Sequence, residues 1–279
     1  MDCICLLLLY IVAMLLDRIR SAGKITTKFG FLAIAFCVII LSACSSNSSM
    51  AIDTSGLVDI ALITENAEGY FGKTVLVRND VIDTVGDRGL VLDKDRAFVG
   101  ETILVINISP MPSIFFNDRT PEVLVSGTVE QLNLTAIEQQ YGLKLDRDLY
   151  NQYETKPVII AQSLLLSPDP EDLTNNPELY YGKPLAVKGE LEDLKPYGIF
   201  ELDEEQVFGG EDLLVVQPNP RIELKEEKNA LVYGKLRPFV IIELERDYDL
   251  GWDLSIEKQI EAEYKQKAIF VAEKIQILE

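Results

Sequence analysis

The chain of 279 residues is long enough for about two ordinary domains, and its 48% apolar content is sufficient for packed cores. Its formal net charge of −19 disfavours nucleic acid and anionic lipid as electrostatic partners, because both are bound through basic surfaces. The sequence has no histidine, and the last of its four cysteines is Cys44. We therefore expect no enzyme that depends on histidine or cysteine chemistry in the rest of the chain.

The N-terminal segment has the layout of a secretory signal. Arg18, Arg20, Lys24 and Lys28 form a basic region before the apolar run 29–41, which is shorter than the roughly 20 residues of a membrane-spanning helix. Small residues and a cysteine follow this run. The pattern predicts a cleaved signal peptide, and an uncleaved signal anchor is the alternative.

The end of the apolar run resembles the lipobox of bacterial lipoproteins. In that family the cysteine sulfur carries a diacylglycerol and the cysteine becomes the first residue of the mature protein. The resemblance implies that residues 1–43 are a signal peptide, that Cys44 is the lipid attachment site, and that residues 44–53 are a flexible tether. The motif consists of Leu41, Ser42, Ala43 and Cys44.

Another apolar run, residues 3–16, precedes the basic region and is also too short to span a membrane. We interpret Met14 as the true start of the protein, with a membrane hairpin of two apolar segments as the alternative. Residues 1–43 hold four basic and two acidic residues, so the remaining chain has 22 basic and 43 acidic residues, a net charge of −21. Membrane attachment would therefore depend on the lipid.

The rest of the chain contains one pattern twice. NAEGYFGKTVLV (66–77) recurs as NPELYYGKPLAV (176–187), an offset of 110, and later blocks match at offsets of 107 and 111. Small changes of offset correspond to insertions in loops. We therefore predict two tandem domains, residues 54–167 (copy one) and 168–279 (copy two), joined by the turn or linker sequence SPDPED.

Strand patterns dominate each copy. Segments such as TVLVRNDVIDTV and PLAVKGELEDL alternate apolar and polar residues, and a helical stretch separates the fourth predicted strand from the fifth. Five short strands with a small helical piece per hundred residues indicate a small β-barrel. We predict a mainly β fold, with two tandem five-stranded β-barrels that each carry a helical insertion before the last strand.

The Tyr-x-Gly-Lys block and the Phe-x-Gly-Glu block after it resemble bacterial barrel modules of the OB-fold and PRC-barrel kinds, as in uncharacterised bacterial lipoproteins. The resemblance covers most of residues 66–279. An OB-fold has its helix between strands three and four, whereas the helical stretch here follows strand four. That position favours an SH3-like or PRC-like barrel.

The repeated Tyr-x-Gly-Lys block also supplies a candidate ligand face. Exposed aromatic rings beside a cation can stack on bases or sugars. The alternative is that the rings cover the mouth of each barrel and that each lysine pairs with a nearby carboxylate. The candidate residues are Tyr70, Phe71 and Lys73 in copy one and Tyr180, Tyr181 and Lys183 in copy two.

Acidic loops give weaker candidates for a calcium site, because calcium prefers carboxylate oxygens. The alternative is a solvated acidic turn between two strands, and neither loop matches a known calcium-binding loop pattern. We predict no cofactor. The calcium candidates are Asp93, Asp95, Asp203 and Glu205.

Together these patterns predict a lipid-anchored, non-catalytic protein of the cell envelope that faces the periplasm or the cell surface. Its barrels would bind an envelope protein or a small ligand. One alternative is a carboxylate-based hydrolase acting on envelope polymers. A second is an OB-type binder of single-stranded nucleic acid, which the negative charge disfavours.

The lipid attachment can be tested by the intact mass of protein extracted from membranes. We expect the mass of a chain that begins at Cys44 and carries diacylglycerol. The Cys44→Ala variant should be neither lipidated nor cleaved. A mass that includes residues before Cys44 in the unaltered protein would contradict the lipobox interpretation.

Overall fold

The computed structural model describes residues 56–93, 101–109, 121–195, 197–204, 211–218, 223–265 and 267–278. Several predicted features lie outside these residues and stay predictions. They are the signal peptide, the lipobox of Leu41, Ser42 and Ala43, the lipid site Cys44, the tether, and the calcium candidates Asp95 and Glu205.

Copy one contains five strands, with two short helices before the first strand and two after the fourth. The strands are β1 (Thr74–Val85), β2 (Gly89–Asp93), β3 (Thr102–Asn107), β4 (Glu122–Gln131) and β5 (Pro157–Leu166). The helices are α1 (Ile60–Glu65), α2 (Ala67–Tyr70), α3 (Leu134–Tyr141) and α4 (Arg147–Tyr150), with a 3₁₀ turn at Asn151–Tyr153.

Copy two has the same order of strands, with helical segments before the first strand and after the fourth. Helix α5 (Pro170–Asn175) and a 3₁₀ turn (Pro177–Leu179) precede the first strand. The strands are β6 (Pro184–Lys195), β7 (Ile199–Asp203), β8 (Leu213–Val216), β9 (Asn229–Pro238) and β10 (Ala268–Ile277). Helices α6 (Ile241–Tyr248) and α7 (Leu254–Tyr264) lie between β9 and β10.

Strands β1–β5 form a closed barrel. Strand β1 pairs antiparallel with β2 and β4, β2 pairs with β3, β4 pairs with β5, and the parallel pair β3–β5 closes the cycle. The helical segment lies between β4 and β5, as the sequence predicted. The fold is therefore mainly β, with a closed five-stranded barrel.

Strands β6–β10 repeat this cycle of pairings, with β8–β10 as the parallel pair. Residues that correspond in the sequence repeat also form corresponding cross-strand pairs. The pair Asp80–Asp93 corresponds to Glu190–Asp203, and the pair Gly127–Ala161 corresponds to Gly234–Ala272. Because β5 also pairs with β6 at Leu166–Leu185, all ten strands belong to one sheet.

A β-bulge occurs at the same place in both copies and requires glycine. The register shifts next to Gly127 in β4 and next to Gly234 in β9. A Cβ atom on Gly127 would lie 2.6 Å from the carbonyl oxygen of Ile160, and one on Gly234 would overlap the carbonyl oxygen of Val271. The bulge therefore explains why both copies have glycine at this position.

The barrel of copy one has an apolar interior and an apolar outer face. Helix α1 contributes Ile60 and Ile63 to the interior, and both side chains are fully buried. Helices α3 and α4 cover the outer face of β2, β3 and β5, where Tyr150 is fully buried. The Tyr150 hydroxyl donates a 2.5 Å hydrogen bond to the carbonyl oxygen of Val85, which ties this helical segment to the end of β1.

Helices α6 and α7 cover the corresponding outer face in copy two. Trp252, the only tryptophan of the chain, packs there against apolar residues of β7, β8 and β10 and is 7% exposed. Trp252 therefore contributes its large apolar ring to the core of copy two.

The two copies contact each other through equivalent outward-facing positions. Leu76 of β1 and Leu124 of β4 pack against Ala186 of β6 and Leu231 of β9. Leu76 corresponds to Ala186 at an offset of 110, and Leu124 corresponds to Leu231 at an offset of 107. All four side chains are buried, so the described residues that follow Ile52 belong to one compact unit.

Arg78 fastens this contact to the segment that joins the copies. Its guanidinium donates hydrogen bonds to the hydroxyl and carbonyl oxygens of Ser167, both at 2.9 Å. It also forms ion pairs with Glu122 at 2.7 Å and Asp169 at 2.6 Å. The Ser167 hydroxyl then donates to the carbonyl oxygen of Ala186 at 2.5 Å. The predicted linker is therefore a buried joint, since Ser167 is fully buried.

Replacement of Arg78 by methionine should lower the free energy of unfolding by about 2–4 kcal/mol, because it leaves two partly buried carboxylates without their cation. Denaturant unfolding followed by Trp252 fluorescence measures this change. The matched control is Lys188→Met, which alters the equivalent position of copy two and should cost less than about 1 kcal/mol. Equal losses in the two variants would contradict a special role for Arg78.

Candidate functional site

The Tyr-x-Gly-Lys block forms a tight turn before the first strand of each copy. In copy one the amide of Lys73 donates to the carbonyl oxygen of Tyr70 at 2.9 Å. Phe71 has φ −54° and ψ 130°, and Gly72 has φ 77°, which is the geometry of a type II turn. The Gly72 amide also donates to the carbonyl oxygen of Val129 on β4 at 2.8 Å. The turn therefore sets where β1 begins.

The turn of copy two has matching hydrogen bonds. The Lys183 amide donates to the carbonyl oxygen of Tyr180 at 3.1 Å, and the Gly182 amide donates to that of Leu236 on β9 at 2.9 Å. Gly182 has φ 72°. The repeated sequence is thus explained by backbone geometry that only glycine adopts without strain.

The aromatic candidates of the two turns pack against separate cores. Tyr70 and Phe71 are partly buried against the interior of the first barrel, and the Lys73 ammonium lies 5.7 Å from the centre of the Tyr70 ring. Tyr180 is partly buried against the interior of copy two. The candidate residues of each turn are therefore neighbours, but the two turns serve different cores.

Tyr181 is the most accessible aromatic ring of these turns, with 36% of its surface exposed. Leu179, two residues earlier, is 48% exposed, and Lys183 is exposed as well. The pKa of Tyr181 is raised above its usual value, mainly because part of the ring is buried and to a smaller extent because the charge of Glu178 is nearby. Copy two therefore presents an apolar and aromatic edge beside a lysine at this turn.

Copy two also has an acidic face on the outside of β6, β7 and β8. The register places Glu190 opposite Asp203 and Glu192 opposite Glu201. Asp212, immediately before β8, interacts with Asp203 through a side-chain hydrogen bond. Burial, and then the charges of the neighbouring carboxylates, raise the pKa of Asp212 to about 6. The same two causes raise the pKa of Glu192.

Helix α7 is connected to this acidic face by a polar network. The Tyr264 hydroxyl donates to Glu201 at 3.2 Å and accepts a hydrogen bond from the Lys195 ammonium at 2.6 Å. Lys195 also donates to Glu263 at 2.7 Å and forms an ion pair with Asp193 at 3.1 Å. Burial raises the pKa of Tyr264 to about 12, so this hydroxyl keeps its proton at neutral pH.

The calcium candidates that the structure describes are separated by the fold. Asp93 is buried at the end of β2, where it is opposite Asp80 and Thr102, whereas Asp203 belongs to the acidic face of copy two. Within the described ranges no three carboxylates are arranged to hold a metal ion. With Asp95 and Glu205 outside those ranges, calcium binding stays a prediction.

Sequence reasoning found Asp203 but missed Glu192 and Glu201 as its neighbours. The period-2 spacing of Glu190 and Glu192 shows that both face the same side of β6. Their partners on β7 depend on the strand register, which the sequence does not show directly.

Replacement of Gly72 by alanine should lower the free energy of unfolding by about 1–2 kcal/mol, because the side chain is strained at positive φ. The site offers open space for a Cβ atom, so the loss would come from the backbone alone. Thermal or denaturant unfolding measures it. Gly56→Ala is the control, since that glycine also has open space and does not have a positive φ. A neutral Gly72→Ala variant would contradict the type II turn.

None of the described helices has the length and apolar character needed to cross a membrane. Comparison with known proteins gave no match, either to a protein-family model or to a curated protein. The functional interpretation therefore depends on the residues and geometry of this chain.

Proposed function

We propose that the protein is a lipid-anchored, non-catalytic binding protein of the cell envelope, built from two tandem OB-like barrels that arose by duplication. Lipid on Cys44 would hold it to a membrane, and the barrels would face the periplasm or the cell surface. Its ligand is an envelope protein or a small molecule, bound at the Tyr-x-Gly-Lys turns.

The observation that carries this proposal is the repeated strand register combined with burial of equivalent positions between the copies. Leu76, Leu124, Ala186 and Leu231 hold the copies together, and Arg78 secures the joint. A rigid body with two related surfaces binds without first ordering its own segments. Two related surfaces also allow avidity toward a repetitive or dimeric partner.

The OB-like assignment is supported by the strand order. Each cycle runs 1-2-3-5-4, with a parallel pair between its third and fifth strands. This is the Greek-key order of a small five-stranded OB-type barrel. The helical segment nevertheless follows the fourth strand, and this difference changes which surfaces are open.

The same helical segments argue against nucleic-acid binding. OB-folds bind oligonucleotides on the face of their second and third strands. In this protein helices α3 and α4 cover that face in copy one, and helices α6 and α7 cover it in copy two. The net charge of −19 opposes phosphate binding as well.

The surface that we assign to the partner is the turn of copy two. Leu179 and Tyr181 are exposed there beside Lys183, whereas Tyr70 and Phe71 of copy one are partly buried. Exposed aromatic side chains such as Tyr181 are enriched at protein-binding surfaces. The turn of copy one would then be the weaker of the two binding surfaces.

One observation favours a hydrolase as the second candidate. Asp203 and Asp212 are adjacent carboxyls, and the pKa of Asp212 is raised to about 6. A carboxyl group that keeps its proton near neutral pH can act as a general acid. In that case Asp212 would donate the proton, and Asp203 would be its charged neighbour.

Site-specific photocrosslinking in intact cells tests the proposal. A photoreactive amino acid at Tyr181 should give a discrete crosslinked product, and the yield should fall several-fold when Lys183→Glu is added. The control position is Glu261, which is exposed on helix α7 away from the turn. Equal products from both positions, or none from Tyr181, would contradict binding at the turn. Hydrolysis of envelope polymer that is lost in Asp212→Asn would favour the hydrolase instead.

A further inference from the structure

The parallel strand pairing that closes the cycle of strands, here called the seam, is shorter in copy two than in copy one. The parallel pair β8–β10 includes only Val215–Phe270 and Val216–Val271. The equivalent pair β3–β5 extends over four residue pairs, from Leu104–Val158 to Asn107–Ala161. Fewer hydrogen bonds therefore hold β8 against β10. Repulsion between charges near β8 would separate these two strands more easily than the equivalent strands of copy one.

The acidic face lies next to this seam and occurs in copy two only. At the positions equivalent to Glu192, Glu201 and Asp212, copy one has Ile82, Val91 and Thr102. Like charges that are opposite each other on neighbouring strands repel and destabilise the pairing. Copy one keeps Asp80 opposite Asp93, but its three neutral residues lower the repulsion. Copy two has more carboxylates here, next to the strand with the shorter parallel pairing.

We propose that the acidic face is a pH-sensitive latch, which holds β7, β8 and helix α7 of copy two together when its carboxyls carry a proton and loosens them when they ionise. The device is independent of the ligand proposed for the turn. Copy two would then be more rigid at acidic pH than at neutral pH.

In the described part of copy two, several elements contribute charged groups to the acidic face and its surroundings. Strand β6 contributes three acidic residues and a lysine, and strand β7 contributes two acidic residues. Helix α7 contributes a glutamate and a tyrosine. Glu211 and Lys267 form an ion pair beside them, at 3.4 Å. The segment before β9 adds Glu226, whose carboxylate accepts from the Leu194 amide at 3.3 Å. The facing groups are Glu190, Glu192, Asp193, Lys195, Glu201, Asp203, Glu211, Glu226, Glu263, Tyr264 and Lys267.

The sign of the pH dependence follows from Asp212. Its pKa is about 6 in the folded protein and has an ordinary value of 3.8, so the folded protein binds this proton more tightly than the unfolded chain does. The stabilising contribution is therefore complete below pH 3.8 and is lost as the pH rises through about 6. Glu192, whose pKa is also raised, acts in the same direction.

The latch reaches helix α7 through side chains that touch both elements. Tyr264 donates to Glu201 of β7 and accepts from Lys195 at the end of β6. Its ring is buried in the cluster that contains Trp252. Loosening of the acidic face would therefore change the environment of the only tryptophan, which makes fluorescence a local probe of copy two.

The experiment is denaturant unfolding of the whole chain, followed by Trp252 fluorescence at pH 5 and pH 7.5. We expect the folding equilibrium constant to fall by roughly threefold to fivefold between these values. The full pKa shift of Asp212 would give about tenfold over this pH interval, and solvent weakens the interaction. Asp212→Asn keeps the size of the side chain and should remove most of the fall. Glu192→Gln, on an exposed position, should remove a smaller part.

The control is Glu261→Gln, an exposed carboxylate on helix α7 outside the acidic face, which should keep the full pH dependence of the unaltered protein. The proposal is overturned if the unaltered protein has the same stability at both pH values. It is also overturned if Asp212→Asn and Glu192→Gln both retain the full fall. If Asp212→Asn fails to fold, Glu192→Gln still decides the outcome.

Discussion

Burial of outward-facing leucines between the two copies is the constraint on which the rest of the structure depends. A small barrel normally buries one face of each strand and leaves the other to solvent. Here Leu76 and Leu124 are buried on the outside of the first barrel by Ala186 and Leu231. Arg78 completes this contact with charge-assisted hydrogen bonds, and it satisfies the polar groups of the joint at the same time. The copies consequently behave as one folded unit.

The helical segments decide which surfaces remain for binding. In both copies they bury the outer face of the second, third and fifth strands of the cycle, with Tyr150 in one and Trp252 in the other. The contact between the copies buries a further face. Among the described residues, the turn before the first strand, the acidic face of copy two and the outer sides of the helices remain accessible. The helices therefore cover the face of the second and third strands, which is the face that OB-folds use for binding.

The two copies share their backbone geometry but differ in their outward-facing residues. The bulge glycines and the turn glycines agree between the copies because each is required by backbone geometry. Outward positions have no such requirement. Three of them are acidic in copy two and neutral in copy one, at the place where the parallel pairing is shortest. Stability and pH response can therefore differ between two domains with one architecture.

The sequence by itself determined the repeat, the order of strands and helices, and the placement of the Tyr-x-Gly-Lys turn. Strand periodicity and glycine requirements are local properties, so they are visible in the order of residues. The sequence also predicts a lipid attachment site at Cys44, which lies outside the residues that the structure describes.

Only the tertiary structure decided how distant residues meet. Ser167–Asp172 has the composition of a linker, yet Arg78 lies 89 residues before Ser167 and makes this segment a buried joint. The pairing of Glu192 with Glu201, and the covering of the strands by helices, likewise depend on register and packing. Such contacts arise from burial and hydrogen bonding across the fold, and no local pattern of residues encodes them.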